Sequence, residues 1–269
     1  MTPETDPLAE TRTFWNASPC SGQSGFTTRY RQRYAVEPWI PSFVKRIAAY
    51  HSDILEVGCG QGTDGLLMCQ NLPPGGRYVG VDYSDVSVAQ AKAARAELGA
   101  FPVEPEFRVG NAEQLDIPDN SVECVYSLGV LHHTADDRKA FAEVRRVLRP
   151  GGFAYIVLYR KWSAKVAIAK ALRGLQRFVD RITGTERTLY RMVQGRHMER
   201  VFGTMLLECF GVPYMNWYDR ADMYQRFRNF DILALYPMGY NIPYMNPKGD
   251  ARNPLGYFWV IELRKPPAA

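Results

Sequence analysis

Two acidic residues enclose a glycine-rich segment in the first half of the chain. Glu56 precedes Gly58, Gly60 and Gly62, and Asp82 follows the last of these glycines by 20 residues. Because glycine has no Cβ, such a segment can turn sharply and let a ligand approach the backbone closely. Asp82 ends the next predicted strand, where its carboxylate could hold a ribose diol. The Glu56 carboxylate would suit a cationic ligand that carries an amino-acid tail.

A dinucleotide is the main alternative ligand, since nicotinamide and flavin proteins also place a glycine loop between a strand and a helix. The spacing here is GxGxG followed by Thr63, so the third glycine of the GxGxxG fingerprint is missing. Glu56 would also repel a pyrophosphate placed beside it. These two features favour the cationic ligand, and a tight turn that binds nothing is the remaining interpretation.

Two of the four histidines, His132 and His133, follow the fourth predicted strand at the edge where a second substrate would bind. Either could act as a general base, or the pair could cap the loop through hydrogen bonds to nearby carboxylates. His51 and His197 are expected to be solvated. No metal site is expected, because adjacent histidines point apart and no cysteine or carboxylate spacing completes a ligand set. Cys59 is interpreted as a small filler in the turn rather than a nucleophile.

Alternating strand and helix patterns surround these residues. Short apolar runs predict strands at residues 53–58, 78–82, 106–109, 122–128 and 153–159. Helices are predicted between them, with Ser84 as one N-cap and the Pro150-Gly151-Gly152 segment ending the helix of residues 136–148. Repeated units of this kind imply right-handed crossovers and a parallel sheet covered on both faces.

The alternation ends after Arg160. A long helical stretch follows, and two late strands at residues 231–236 and 257–263 are predicted to close the sheet as an antiparallel hairpin. The expected fold is α/β, with a Rossmann-like, seven-stranded, mostly parallel sheet and helices on both faces. An N-terminal helical cap is expected at residues 1–50, the core at 51–160 and 230–269, and a helical insert after the fifth strand at 161–229.

The composition is that of a soluble globular protein. Hydrophobic residues make up 46% of the chain and charged residues 23%, which excludes disorder and fibrous repeats. The net charge of +5 is smaller than nucleic-acid binding normally requires. Five cysteines without a CxxC pair suit a reducing compartment, and the first ten residues lack the features of a signal peptide. A cytoplasmic location is therefore expected.

Positive charge is concentrated in residues 160–200, which hold 11 Lys or Arg and 3 Asp or Glu. An amphipathic helix is predicted there, with apolar Ile168, Ala171, Leu172, Leu175, Val179 and Ile182 opposite basic Lys170, Arg173, Arg177 and Arg181. Inward packing of the apolar face is the favoured interpretation. Peripheral contact with an anionic membrane surface, aided by Trp162, and attraction of an anionic small molecule are the alternatives.

The chain resembles class I S-adenosylmethionine-dependent methyltransferases in four ordered motifs, LEVGCGQGTD, VGVDYS, VGNAEQLDIPDNSVECVYSLGVLHH and EVRRVLRPGG. The resemblance covers residues 53–159, about two fifths of the sequence. FWNASPC and RYAVEP also resemble a bacterial small-molecule methyltransferase subgroup. The resemblance implies S-adenosyl-L-methionine as the cofactor.

The same resemblance implies positions for the cofactor. It places Glu56, Gly58, Cys59 and Gly60 at the methionine part, Asp82 at the ribose hydroxyls, Tyr83, Asn111, Ala112 and Glu113 at the adenine, and Leu128 and Gly129 at the transferable methyl. Arg33 and Tyr34 would cover the carboxylate from above, and His132 or His133 would act on the acceptor. The family more often has Asp where this chain has Asn111, whose side-chain oxygen can still accept a hydrogen bond from the exocyclic amine.

The expected reaction is methyl transfer to O, N or C of a small-molecule acceptor, with a secondary metabolite as the expected class and no nucleic acid as partner. Residues 201–230 are expected to form the acceptor lid, with Tyr214, Trp217, Tyr218 and Tyr224 as lining candidates. The alternatives are a lipid-like or isoprenoid acceptor at a membrane surface, a nicotinamide-dependent oxidoreductase, and a binding protein without turnover. Either a monomer or a homodimer is compatible with the sequence.

Overall fold

A seven-stranded sheet forms the centre of the part of the chain that the computed structural model describes, residues 7–19, 25–193, 210–239 and 252–268. Its strands are β1 (Asp53–Val57), β2 (Arg77–Asp82), β3 (Pro105–Val109), β4 (Val122–Leu128), β5 (Leu148–Tyr159), β6 (Asp231–Met238) and β7 (Phe258–Arg264). The order across the sheet is β3-β2-β1-β4-β5-β7-β6. Strands β1 to β5 run parallel, and β7 lies antiparallel between β5 and β6. The predicted sheet and its antiparallel closing hairpin are confirmed.

Helices surround this sheet. The described ones are α1 (Pro7–Ala17), α2 (Phe26–Val36), α3 (Ile40–Tyr50), α4 (Thr63–Cys69), α5 (Asp85–Glu97), α6 (Asp137–Val147), α7 (Ala164–Thr183), α8 (Thr188–Val193) and α9 (Arg220–Arg226), with a 3₁₀ turn at Leu131–His133. The predicted N-cap of α5 is present, since Ser84 Oγ accepts from Ser87 N at 3.0 Å. Asp136 caps α6 by accepting from the backbone of Arg138 and Lys139. None of these helices is long and apolar enough to cross a membrane.

Two buried clusters lie on opposite faces of the sheet. Neighbouring residues of β1 contribute to different clusters, because successive side chains of a strand point to opposite faces. Ile54 belongs to the cluster that contains Ile47 of α3, and Leu55 to the one that contains Phe141 of α6. Each fully buried Leu or Ile stabilises the fold by about 1.5–3 kcal/mol.

The start of β5 differs from the prediction. The strand begins at Leu148, so the Pro-Gly-Gly segment expected to separate helix from strand lies within the strand. Backbone bonds hold it there, because Gly151 N donates to Lys265 O at 2.9 Å and Lys265 N donates to Gly152 O at 2.8 Å. The register with β4 is irregular at this point, between Val122 and Cys124. Turn-forming residues are thus accommodated in a distorted strand end.

The orientation of α7 also differs from the prediction. Lys165, Val166, Ala169 and Gln176 are its buried residues, whereas Ile168, Leu175 and Ile182 are exposed. The favoured interpretation, inward packing of the apolar face, was therefore wrong for these three side chains.

Polar contacts along α7 explain this orientation. Arg173 donates to Val212 O at 2.9 Å, and Gln176 donates to Phe210 O at 2.8 Å. Lys165 donates to the Tyr159 hydroxyl at 3.3 Å. These bonds turn Lys165, Arg173 and Gln176 towards the protein, whereas the apolar side chains of Ile168, Leu175 and Ile182 lie in solvent.

The proposed lid segment is described only in part, since residues 201–209 lie outside the described residues. Tyr218, a predicted lid residue, is buried in the core, and its hydroxyl donates to Asp137 Oδ2 at 2.6 Å. Trp217 packs against the other core cluster, and Tyr224 is half exposed. These three side chains lie outside the cavity described below.

Candidate cofactor site

A cavity opens at the carboxyl ends of β1, β2 and β4, the edge at which open α/β sheets bind ligands. The predicted site residues that line it are Arg33, Glu56, Gly58, Cys59, Gly60, Asp82, Tyr83, Asn111, Ala112, Glu113, Leu128, Gly129 and His133. Tyr34 and His132 are not part of this lining. Parallel strands thus bring together residues that are far apart in the sequence.

The glycine loop is shaped by two glycines with different roles. Gly60 has a φ of +51°, and a Cβ placed on it would meet no atom within 4 Å. The space over Gly60 is therefore open to a ligand. Gly58 has a φ of +83°, but a Cβ there would overlap the side chain of Val130. The absence of a side chain at Gly58 thus serves packing within the protein, whereas at Gly60 it leaves room in the cavity.

Asp82 joins this loop to the end of β2. Its Oδ2 accepts from Gly60 N at 2.8 Å, and its Oδ1 accepts from Ser84 N at 2.9 Å. Burial raises the pKa of Asp82, and the backbone bonds partly oppose that rise. A carboxylate oxygen can accept more than one hydrogen bond, so Asp82 can hold the loop and still accept from ligand hydroxyls.

Glu56 lies buried at the end of β1, where its Oε2 accepts a hydrogen bond from the Tyr78 hydroxyl. Burial, followed by the charge of nearby Asp64, raises the pKa of Glu56 well above its usual range. Among the described residues, no Lys or Arg forms an ion pair with Glu56 or Asp82. A ligand that brings positive charge would stabilise the ionised Glu56.

Arg33 is instead paired within the protein. Its Nε donates to Asp64 Oδ1 at 2.8 Å, and the hydroxyls of Tyr34 and Tyr126 each donate to Asp64 at 2.9 Å. Arg33 also lines the cavity, so a ligand carboxylate that contacted its guanidinium would share it with Asp64. Tyr34 donates to Asp64 from outside the cavity lining, and its contact with a ligand carboxylate stays a prediction.

Hydrogen bonds hold the backbone of the loop that is predicted to bind the adenine. Asn111 Oδ1 accepts from Glu113 N at 2.9 Å, and Glu113 Oε1 accepts from Asp136 N at 3.0 Å. One acceptor direction of the Asn111 amide oxygen is therefore used within the loop, and a second remains chemically possible.

The two adjacent histidines have different environments. His133 lines the cavity, and its Nδ1 lies 2.9 Å from the carbonyl oxygen of Tyr214. Since a carbonyl only accepts, Nδ1 carries the hydrogen, and in the neutral ring Nε2 is the basic nitrogen.

His132 is fully buried, and the centre of its ring lies 3.9 Å from the centre of the Tyr159 ring. Within the described part of the chain, neither ring nitrogen of His132 has a hydrogen-bond partner. Burial, followed by the charge of neighbouring His133, lowers the pKa of His132 well below its usual range. Its position outside the cavity leaves His133 as the better placed of the two predicted bases.

Helix α1 supplies cavity residues that the sequence did not single out. Leu8, Thr11 and Trp15 line the cavity, and the Trp15 and His133 ring centres are 5.5 Å apart. Asn16 anchors the helix, because its Nδ2 donates to Asp85 Oδ1 and its Oδ1 accepts from Ser84 Oγ, both at 2.7 Å. The only signal in the sequence was the motif FWNASPC, which contains Trp15 and Asn16.

Two further candidate side chains, Cys59 and His51, are buried. Burial raises the pKa of the Cys59 thiol, which agrees with its predicted role as a filler. His51 is buried rather than solvated, and its Nε2 lies 3.0 Å from the Tyr155 hydroxyl. His197 lies outside the described residues. No group of three or more His, Cys, Asp or Glu side chains among the described residues could hold a metal ion.

This set of donors and acceptors fits S-adenosylmethionine. The carboxyl groups of Glu56 and Asp82 could accept from an ammonium and from a ribose diol, and the space over Gly60 is open. An ionised Glu56 would also repel a pyrophosphate placed beside it.

Comparison with known proteins supports this interpretation. The family model described as "Methyltransferase domain" matches residues 55–156. The chain is 35% identical over 100 residues to a Mycolicibacterium smegmatis protein named a probable S-adenosylmethionine-dependent methyltransferase, over 37% of this chain and 35% of that protein. It is 32% identical over 119 residues to demethylmenaquinone methyltransferase of Symbiobacterium thermophilum, over 43% of this chain and 46% of that protein. This chain spans less than half the length of these curated relatives.

A solved structure shows the same fold. Magnesium protoporphyrin IX methyltransferase from Synechocystis, crystallised with S-adenosylmethionine, matches with a TM-score of 0.58 and 13% sequence identity, over 98% of this chain and 100% of that one. The match at residues 55–156 and the named relatives support the class I S-adenosylmethionine-dependent methyltransferase and the cofactor that the motifs predicted, and the solved structure shows the same fold.

Proposed function

We propose that this protein transfers a methyl group from S-adenosylmethionine to O, N or C of a small-molecule acceptor, with a secondary metabolite as the class expected from the sequence. The observation that carries the proposal is the position of His133. It lines the cofactor cavity, and its Nδ1–H donates to Tyr214 O, which directs the basic Nε2 away from that carbonyl. An acceptor with an O–H or N–H group bound beside the methyl would thus meet a proton acceptor.

The binding residues would mainly hold and align the cofactor. When bound, S-adenosylmethionine supplies an electrophilic methyl group on a sulfonium, and little further activation is needed. Glu56 would lie near the ammonium and Asp82 near the ribose hydroxyls. The protein must bring the nucleophile to within about 3–3.5 Å of the methyl. Leu128 and Gly129, at the end of β4, would border that position.

Helix α1 supports a role of residues 1–50 as a cap. It places Leu8, Thr11 and Trp15 against the cavity, so it would exclude water from the reacting groups. In the same way, we propose that residues 51–160 and 230–269 form the cofactor-binding core and that residues 161–229 border the acceptor. The segment around Tyr214 supports the last assignment, because it contacts His133 directly.

A lipid-like acceptor is the second candidate. One relative is named a demethylmenaquinone methyltransferase, and menaquinones carry isoprenoid tails. The exposed apolar side of α7 offers this chain a surface for such a substrate or for the membrane that contains it. A freely soluble acceptor needs no such surface, so the two candidates differ in whether vesicles enhance turnover.

The test is a screen of acceptors with labelled cofactor, followed by His133→Gln. With an O–H or N–H acceptor we expect the variant to lose about 10²–10⁴-fold in kcat and to keep its affinity for S-adenosylmethionine. His51→Gln is the matched control, because His51 is a buried histidine outside the cavity. An unchanged kcat in His133→Gln would show that His133 is not a general base and has only a structural role. Calorimetry that detects NADH binding and no S-adenosylmethionine binding would overturn the proposed activity in favour of an oxidoreductase.

A further inference from the structure

A continuous line of apolar side chains is exposed along α7. We call the set Ile168, Ala171, Leu175, Phe178 and Ile182 the α7 stripe. Its large members are exposed by 43% at Ile168, 49% at Leu175, 62% at Phe178 and 69% at Ile182. The spacing alternates between three and four residues, so these side chains lie on one face of the helix over about 21 Å. A contiguous exposed apolar surface of this kind typically marks an interaction site.

Basic side chains border the α7 stripe on one side. At 100° per residue, Lys170, Arg177 and Arg181 lie next to Phe178 around the helix. Arg177 and Arg181 are exposed, and neither forms an ion pair with a described residue. Lys170 instead places its ammonium 4.5 Å from the centre of the Trp217 ring.

Negative charge is nearly absent from α7. Asp180 is its one acidic residue, and its carboxylate accepts from the backbone of Thr188 at 2.8 Å and Arg187 at 3.0 Å. The partner of this surface must therefore supply the negative charge. A second copy of the chain would bring the same arginines and no matching carboxylates on this helix, so self-association through the α7 stripe is electrostatically disfavoured.

We propose that α7 binds in the plane of an anionic phospholipid surface, with the α7 stripe in the boundary between head groups and acyl chains. Arg177 and Arg181 would then lie among the lipid phosphates. An apolar face beside a basic face, on a helix too polar to span a bilayer, is the pattern of helices that bind membrane interfaces. Trp162, 70% exposed just before the helix, adds a ring of the kind that prefers the head-group region.

Helix α7 begins at the edge of the sheet where the cofactor cavity opens. The helix follows the carboxyl end of β5, and Lys165 in its first turn donates to the Tyr159 hydroxyl at that strand end. Membrane binding through α7 does not require the proposed cofactor site, because no residue of the α7 stripe lines the cofactor cavity. Failure of one proposal can therefore be distinguished from failure of the other.

The experiment is flotation of the full chain with phosphatidylcholine vesicles, with and without phosphatidylglycerol. We expect binding that requires phosphatidylglycerol and weakens at high salt. The double variant Phe178→Glu/Ile182→Glu should lose at least about tenfold in vesicle binding, because each side chain gives up the burial of a large apolar group. Leu233→Glu is the control, since Leu233 is also exposed, by 50%, but lies on β6 and is not part of the α7 stripe.

Circular dichroism would verify that each variant is folded. Arg177→Gln/Arg181→Gln should reduce the preference for phosphatidylglycerol while leaving the apolar stripe intact. Equal binding to both vesicle types, or equal binding by the stripe variant and wild type, would overturn the proposal. So would a dimer that binds no vesicles and dissociates in the stripe variant, since the occupant would then be a second copy.

Discussion

The charge of Glu56 is set by its surroundings, which include Asp64, Arg33, Asp82 and the Tyr78 hydroxyl. Because the folded-state pKa is raised above 4.5, folding favours the protonated carboxyl. Its contribution to stability is therefore present at low pH and is lost as the pH rises through the raised folded-state value. Glu56→Gln is neutral at every pH, so its free energy of unfolding relative to wild type should increase from mildly acidic to mildly alkaline pH.

Urea denaturation of the cofactor-free protein at several pH values measures this difference. Glu106→Gln is the control: the hydrogen bond from Arg108 lowers the pKa of the exposed Glu106, so its difference from wild type should change only at lower pH and stay constant across this range. Identical pH dependence in wild type and Glu56→Gln would show that Glu56 does not titrate as the structure implies. With S-adenosylmethionine, the same variant should bind roughly 10- to 100-fold more weakly, because a charge-assisted hydrogen bond is lost.

Gly60 combines a left-handed backbone with open space in the cavity, and Gly75 has the same two properties far from the cavity. Valine at either position should strain the backbone by about 1–2 kcal/mol. Only Gly60→Val should abolish S-adenosylmethionine binding in calorimetry, since its side chain would fill the ligand space. If Gly75→Val lost binding equally, backbone strain rather than occupancy of the cavity would explain the result.

The positions of site residues at strand ends and turns could be predicted from the sequence. The contacts of side chains whose partners are distant in the sequence could not. Gly60 and Asp82 lie where the sequence placed them, because a strand end, a turn and the next strand end leave little freedom. Arg33 is paired with Asp64, which is close only in the folded chain. His132 and His133 are adjacent in sequence, but only the fold decides which of them borders the cavity.

Helix α1 is held over the cavity by a small number of polar contacts. Asn16 contacts Asp85 and Ser84, and Arg12 Nε lies 3.2 Å from Asp85 Oδ1. Asn16→Ala should weaken S-adenosylmethionine binding by roughly 5- to 30-fold, mainly through faster dissociation, because about 1 kcal/mol is lost for each of two hydrogen bonds. Stopped-flow kinetics would measure the rate.

A suitable control for this helix is Arg77→Ala, which removes an exposed ion pair with Asp53 at the opposite end of the sheet. The rate at which S-adenosylmethionine dissociates should be the same in Arg77→Ala as in wild type. An Asn16→Ala rate equal to that of wild type would show that α1 does not retain the ligand.

Strands were easier to predict than the orientation of a helix. Val122–Leu128 is a mostly apolar segment, and β4 has those bounds. An amphipathic pattern indicates that α7 has two sides but does not say which side meets the protein. Arg173 and Gln176 donate to backbone carbonyls of residues 210–213, whose position depends on the tertiary fold.

Lys265 connects distant parts of the whole molecule. Its ammonium donates to Asn120 Oδ1, Arg145 O and Leu148 O, each at 2.7 Å, directly after β7. Lys265→Met keeps the side-chain length but leaves these oxygens without a donor. The free energy of unfolding should fall by about 2–4 kcal/mol, measured by urea denaturation. Arg264→Met, which removes an exposed ion pair with Asp231, should change it by less than about 1 kcal/mol.

The carboxylate of Asp82 has a consequence for protein engineering. The same side chain that would select the sugar also accepts from the amide of Gly60 and thereby shapes the turn. Exchange of Asp82 to accommodate a cofactor analogue with an altered sugar would deform the turn at the same time. A redesigned enzyme would therefore need a new acceptor for that amide before its cofactor preference could be changed.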